Sequence, residues 1–377
     1  MKELFLTGSP IRGEIREVEI PYVFSHPSTN SARLIPSRVP KDDEVLIKVI
    51  ATDSNPKDWK AAKAGEWMNQ GDDISGTIYS TGSAVTEFHA GDRVAALHRM
   101  WDPHGAHAEF AIAPASTTFR LPPNTSFEDG ATIPLCAMTA ALALYQHLRI
   151  PPPWNPVPKG TRFPVLVYGG ASAVGAFALK FAKLSNCNPI ITVAGEGIPF
   201  VKSLNAADII VDYRRGSAVG EIRDALKGQE VLHVFDPISN KDSWEHILAV
   251  VPLDGHRAHI NSINPPRGVS PWPPVEMKEV KGSQTFISTA YGRLSPWGSD
   301  RTLEEVGYDG EFAYVMYRYI SLLLEKGKLT AHPVEVLGGL EAVERGSILL
   351  SERAVSSKKL VYRWEPLFYF RTMSNFS

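Results

Sequence analysis

The chain has 377 residues, 44% of them apolar and 21% charged, with a formal net charge of −2. That length exceeds one typical core and suits two domains, while the near-neutral charge gives no electrostatic reason to expect nucleic acid or an anionic membrane as partner. Cys136 and Cys187 are the only cysteines, which excludes a disulfide framework and a four-cysteine zinc site and points to a reducing, cytoplasmic setting.

The N-terminal apolar cluster around Leu4 and Leu6 is cut short by Gly8 and Pro10, unlike a secretory signal or transit peptide. Residues 44–51, 75–81 and 93–97 read as strands separated by glycine turns such as Ala90-Gly91-Asp92, so the first part is β-rich. Helical character within it is expected only at residues 127–148, where Ser126 with Asp129 resembles a capping box. The apolar stretch 131–145 is too short to span a bilayer. Five prolines between residues 150 and 160 mark a stiff linker. Short strands then follow at 165–168, 190–193, 209–211, 231–235 and 256–261 with helix-compatible segments between them, the pattern of a doubly wound parallel sheet over residues 164–290. An amphipathic helix is expected at 309–328, and a strand at 358–363 completing the sheet of the first domain. The reading is therefore an α/β chain, with residues 1–150 and 291–377 forming one discontinuous domain and 151–290 the other.

The most informative segment is VLVYGGASAVG at residues 165–175, where a strand enters a small-residue turn that opens a helix. Such a turn lets a pyrophosphate approach the backbone at the positive end of a helix, which makes Gly169, Gly170, Ala171, Ser172, Ala173 and Val174 candidate dinucleotide contacts. The middle glycine of G-x-G-x-x-G is Ser172 here. A hydrolase elbow, G-x-S-x-G, fails because position 174 is Val174, so Ser172 reads as a phosphate or backbone hydrogen-bonder. His98, His104 and His107 with Asp102 have the residue types of a metal site but fall on a variable loop and a strand; they are set aside as ligands. His256 and His259 alternate along one strand and read as packing or surface residues.

Several motifs in order resemble the medium-chain dehydrogenase/reductase superfamily: Asn55-Pro56-Lys57-Asp58-Trp59-Lys60, Gly71-Asp72-Asp73-Ile74-Ser75-Gly76, Gly91-Asp92-Arg93-Val94, Gly105-Ala106-His107-Ala108-Glu109-Phe110, the glycine-rich turn, Asp212-Tyr213-Arg214 and Lys359-Leu360-Val361. The resemblance implies a GroES-like β-barrel domain, a Rossmann domain and an active-site cleft between them. Within the superfamily the zinc-free branch is most similar, especially fungal quinone-oxidoreductase-like proteins and trans-acting enoyl reductases of polyketide biosynthesis. The family's catalytic cysteine is missing near Asn55, and its His-Glu pair is replaced around Asp72-Asp73.

That resemblance implies reduction of an activated C=C bond in an enoyl thioester or enone, with a nicotinamide cofactor supplying hydride. The substrate would be a small molecule or a carrier-bound acyl chain presented by a polyketide synthase. Asn55 and Lys60 are expected near the nicotinamide and ribose, and Thr139 at the nicotinamide face. Lys60, Tyr291 and His107 are the candidate proton donors, with water or solvent as the alternative, and none of them is singled out. Glu196 suits the ribose hydroxyls of NADH, whereas Lys202, Tyr213 and Arg214 suit the 2′-phosphate of NADPH, the cofactor favoured here. The loops at 264–274 and 288–300 are expected to shape the pocket. A stand-alone quinone or enone oxidoreductase and a nucleotide-binding scaffold without redox activity are the rival readings.

Overall fold

A computed structural model of the chain describes residues 1–20, 40–255, 257–263, 280–294 and 302–364. His256, the loop 264–274 and residues 295–300 of the second pocket loop lie outside these residues.

The chain begins with a hairpin, β1 (Lys2–Thr7) and β2 (Arg12–Glu17), which buries Leu4 and Leu6. The first large sheet starts at β3 (Glu44–Asp53), followed by α1 (Pro56–Lys63), β4 (Asp73–Thr81), β5 (Arg93–Leu97), β6 (Phe110–Pro114) and β7 (Thr118–Arg120). Helix α1 corrects the expectation that helix occurs only at 127–148. Pro56 starts it, where a missing N–H costs nothing, and Ala62 anchors its inner face in the cluster around Leu4, Leu6 and Tyr362. His107 lies just outside a strand, next to a single bridge at Ala108.

The segment at 127–148 is divided into α2 (Phe127–Ala131), capped by Ser126 Oγ, then α3 (Pro134–Ala141) and a π-helical turn at Leu142–His147. Pro134 cannot continue a preceding helix but suits the first position of the next. Nearly every residue of α3 is buried, so an apolar band replaces an amphipathic stripe.

The second sheet comprises β8 (Val165–Tyr168), α4 (Ala173–Leu184), β9 (Ile190–Ala194), α5 (Ile198–Leu204), β10 (Ile209–Asp212), α6 (Ala218–Leu226), β11 (His233–Asp236), α7 (Lys241–Leu248), β12 (His259–Ser262) and β13 (Lys281–Gln284). Its six strands are all parallel, in the order β10-β9-β8-β11-β12-β13. The strand order reverses between β8 and β11, and in an open α/β sheet that is where a crevice forms beyond the strand ends.

The chain then forms α8 (Leu303–Glu325), β14 (Val334–Gly338), α9 (Val343–Ser351) and β15 (Lys359–Arg363). Strand β15 returns to the first sheet, antiparallel to β3 and parallel to β14, in the order β14-β15-β3-β4-β5-β7 with β6 also on β3. Helices α3, α4 and α8 and the π turn share one apolar cluster with both sheets, including Phe119, Phe177, Phe181, Met316 and Tyr317. Full burial of each large side chain is worth about 1.5–3 kcal/mol, so this cluster ties the two sheets together.

Candidate active site

A cleft of about 1260 Å³ runs from the β8–α4 turn, past the start of α1 and α3, to Met100, Trp101, Phe286 and Ile287. At one end, Gly169 takes a positive φ of +99°, and Ser172 caps α4 by accepting from Gly175 N at 3.0 Å while donating to Gly169 O at 2.9 Å. The serine hydroxyl is thus spent on the turn's own backbone, with no nucleophile geometry. A Cβ at Gly170 would lie 2.2 Å from Thr192 Oγ1, and one at Gly175 would lie 2.2 Å from Gly169 O. These glycines let strand and helix close on each other at the start of α4. Gly169, Ala171, Ser172, Ala173 and Val174 line that cleft, whereas Gly170 is buried behind it.

Gly195, Glu196, Gly197, Tyr213 and Arg214 form the neighbouring wall. The Tyr213 ring covers Gly195, where a Cβ would come within 2.7 Å of it. Arg214 makes two 2.8 Å bonds to Asp212, and this guanidinium holds the Asp212 carboxyl down at about 2. Lys202 is exposed on α5 and does not line the cleft, so it is apart from the other candidate phosphate contacts. Ser356, Ser357 and Lys358 close over this end from the approach to β15, a contribution the sequence reading missed. Such a cradle, with a helix start, glycine-permitted contact and a flanking tyrosine, fits a dinucleotide.

The middle of the cleft rests on buried charge. Asn55 donates from Nδ2 to Asp53 Oδ1 at 3.1 Å and Asp73 Oδ2 at 2.6 Å, while its Oδ1 accepts from Lys359 Nζ at 2.8 Å. Lys359 also stands 2.6 Å from Asp53 Oδ2, 3.7 Å from Asp73 and 3.4 Å from Cys136 Sγ. Both polar ends of the Asn55 amide are therefore occupied by the protein. Burial and the Asp73 charge push the Asp53 carboxyl upward, and burial pushes the Cys136 thiol up to about 12. Thr139 lines the cleft and donates to Leu135 O at 2.7 Å, leaving oxygen lone pairs for a ligand. Lys60 also lines the cleft, half-buried, with its ammonium 5.8 Å from the Trp59 ring centroid.

A second buried group adjoins the first. Lys57 Nζ lies 2.7 Å from Asp72 Oδ2 and 3.0 Å from Asp58 Oδ1, and donates to Gln70 O at 2.5 Å. Lys57, Lys359 and Gln70 all line the cleft, and sequence reasoning named none of them as site residues. The available signal was the Asn55–Lys60 motif itself, which puts Lys57 beside Asp58. Of the histidines, His98 directs both ring nitrogens at the carbonyls of Ile112 and Asp102, and His107 is fully buried with Nε2 on Asp53 O. Among the described residues no group of three His, Cys, Asp or Glu side chains could hold a metal ion, and no helix is long and apolar enough to cross a membrane.

Two sheets joined by a helical layer, with a dinucleotide cradle opening into an apolar pocket, define a nicotinamide-dependent reductase fold. Residues 41–123 match the alcohol dehydrogenase GroES-like domain, and the chain belongs to the medium-chain dehydrogenase/reductase superfamily, in its enoyl-reductase-like branch, a family of oxidoreductases. It is 37% identical over 316 residues to the trans-enoyl reductase fsr4 of Gibberella fujikuroi, covering 81% of this chain and 87% of that protein. It is also 29% identical over 333 residues to lovC of Aspergillus terreus, the enoyl reductase component of the lovastatin nonaketide synthase, covering 86% and 90%. Among solved structures, a putative zinc-dependent alcohol dehydrogenase from Rhizobium etli superposes with a TM-score of 0.74 at 21% identity over 97% of this chain and 99% of that one. The CurK enoyl reductase gives 0.70 at 19% identity, covering 96% and 98%.

Proposed function

We propose that this protein is a zinc-independent, NADPH-dependent reductase of an activated C=C bond, acting on an enoyl thioester presented by a partner polyketide synthase. The observation that carries this reading is the continuity of the cleft: a dinucleotide cradle at the β8–α4 turn opens without a break onto an apolar pocket at Met100, Trp101 and Ile287. The likeness to fsr4 and lovC, both named as enoyl reductases, supports the substrate class.

A nicotinamide dinucleotide, when bound, would supply hydride for the β-carbon, and the protein supplies position and charge. Ala171, Ser172, Ala173 and Val174 would hold the pyrophosphate at the α4 N-terminus, Tyr213 would flank the adenosine, and Arg214 would recognise the 2′-phosphate with the donors that Asp212 leaves over. Thr139 orients the nicotinamide side of the cleft. Asn55 acts through the network, keeping Lys359 and Asp73 in register beneath it. Zinc independence is supported by the donor chemistry: Lys57 and Lys359 already place two ammonium groups among Asp53, Asp58, Asp72 and Asp73, and a divalent cation there would meet their repulsion.

The test is oxidation of NADPH by purified protein with a short α,β-unsaturated thioester, beside NADH and a panel of quinones and enones. Turnover of the thioester with NADPH preferred supports the reading. Nucleotide binding without turnover of any acceptor favours a scaffold, and no binding of either nucleotide overturns both.

A further inference from the structure

Reduction of a C=C bond leaves the α-carbon in need of a proton, and three side chains were eligible on sequence grounds. His107 is fully buried behind Gly71, where a Cβ would lie 2.6 Å from its ring. Tyr291 is partly buried, and its hydroxyl oxygen accepts from Met100 N at 3.1 Å. Neither lines the cleft; Lys60 does, half-buried, with its ammonium 5.8 Å from the Trp59 ring centroid. Lys57 lines the cleft with Gln70, Met100 and Trp101 and is fixed from behind.

We propose that Lys57 delivers the proton to the α-carbon of the substrate, from an ammonium held at the cleft wall between Asp58 and Asp72. This rests on the C=C reductase reading above. Asp72 Oδ2 at 2.7 Å, Asp58 Oδ1 at 3.0 Å and Gln70 O hold the ammonium, and the side chain stays 22% exposed where it lines the cleft. Asp72 is 1% exposed, and burial pushes its carboxyl up to about 8, against the pull of Lys57 and with the Asp58 charge adding to the rise. Asp72 then holds a proton near neutrality, beside the Lys57 ammonium.

The step conserves atoms and charge. The enolate electron pair forms a C–H bond with a proton of Lys57 Nζ, the electrons of the broken N–H bond stay on nitrogen, and the neutral amine takes the Asp72 proton. Solvent returns a proton to Asp72 after product leaves. The reductant is the reduced nicotinamide dinucleotide.

The experiment reduces a short enoyl thioester in D2O with wild type, Lys57→Arg and the double variant Lys57→Met with Asp72→Asn. Arginine keeps a cation beside Asp58 and Asp72 but does not release a proton in this pH range, and the double variant removes the ammonium and its closest carboxyl partner together if either single change fails to fold. Wild type should place deuterium on one face of the α-carbon. Both variants should lose that facial selectivity and at least about 100-fold in kcat, while NADPH affinity by fluorescence stays within about twofold. Retained selectivity with kcat within about threefold in either variant overturns the assignment to Lys57. Failure of wild type to turn over any enoyl thioester or enone overturns the reductase reading instead, and this assignment with it.

Discussion

Replacing Lys359 by methionine removes the one ammonium that Asp53, Asn55 and Asp73 share. The side chain is 5% exposed, with Asp53 Oδ2 at 2.6 Å and Asn55 Oδ1 at 2.8 Å. Methionine fills much of the same volume, so the cost is electrostatic: a buried carboxylate, already pushed upward by burial and by Asp73, loses its counter-ion. Breaking one side of a buried pair costs about 3–5 kcal/mol, which for a domain of this size corresponds to a fall of roughly 6–20 °C in the thermal midpoint. Differential scanning calorimetry on the apo protein measures it. The double variant Lys359→Met with Asp53→Asn should recover most of the loss, because no charge is then stranded. A single variant within about 1 kcal/mol of wild type would refute the reasoning, since the network would then not depend on its cation.

Asp236 should govern part of the acid-stability profile. Burial raises its carboxyl to about 6, so the folded state holds a proton that the unfolded chain has already lost; stability falls as pH rises from about 4 to 6, by up to roughly 3 kcal/mol. Asp236→Asn, which keeps the acceptor for Ile238 N and Ser239 N, should flatten that slope in urea melts taken across the interval. Gly170→Ala should cost about 1–3 kcal/mol by overpacking against Thr192 and weaken both nucleotides, as read by thermal shift and fluorescence titration. Arg214→Ala should raise the NADPH dissociation constant by about tenfold and leave NADH unchanged, whereas Lys202→Ala should alter neither, because Lys202 is off the cleft.

The second sheet was legible because its signals are local: each strand is a short apolar run, and the cradle is one uninterrupted segment from Val165 to Gly175. The return of the last strand to the first sheet was legible too, from the run Lys359-Leu360-Val361 and its family likeness. Helix α1 escaped notice since it is only 8 residues long and carries Lys57, Asp58, Lys60 and Lys63, with Ala62 its one buried apolar side chain. Tertiary contact with the N-terminal hairpin sustains it rather than periodicity. The charged floor of the cleft was invisible for a different reason. Asp53, Asp73 and Lys359 come from three strands, the last of them about 300 residues from the first, and no local pattern announces that their side chains share one buried volume. Asn55 was picked out by its motif, yet its amide is consumed by that floor. The sequence also made Lys202 and Arg214 equivalent, and only the position of α5 separates them.

Strand β15 carries a consequence for the order in which the molecule is made. It lies between β14 and β3, and its Lys359 neutralises Asp53 at the end of β3. About 300 residues separate the two partners, and at a synthesis rate of about 5–20 residues per second the nascent β3 waits some 15–60 s for its neighbour. Throughout that interval one flank of β3 lacks β15 and the carboxylates beneath the cleft lack a cation. The parallel sheet of β8 to β13, whose strands are contiguous in the chain, can close in the meantime. Birth order therefore favours the nucleotide-binding half maturing first on the ribosome, with the floor of the catalytic cleft sealed last.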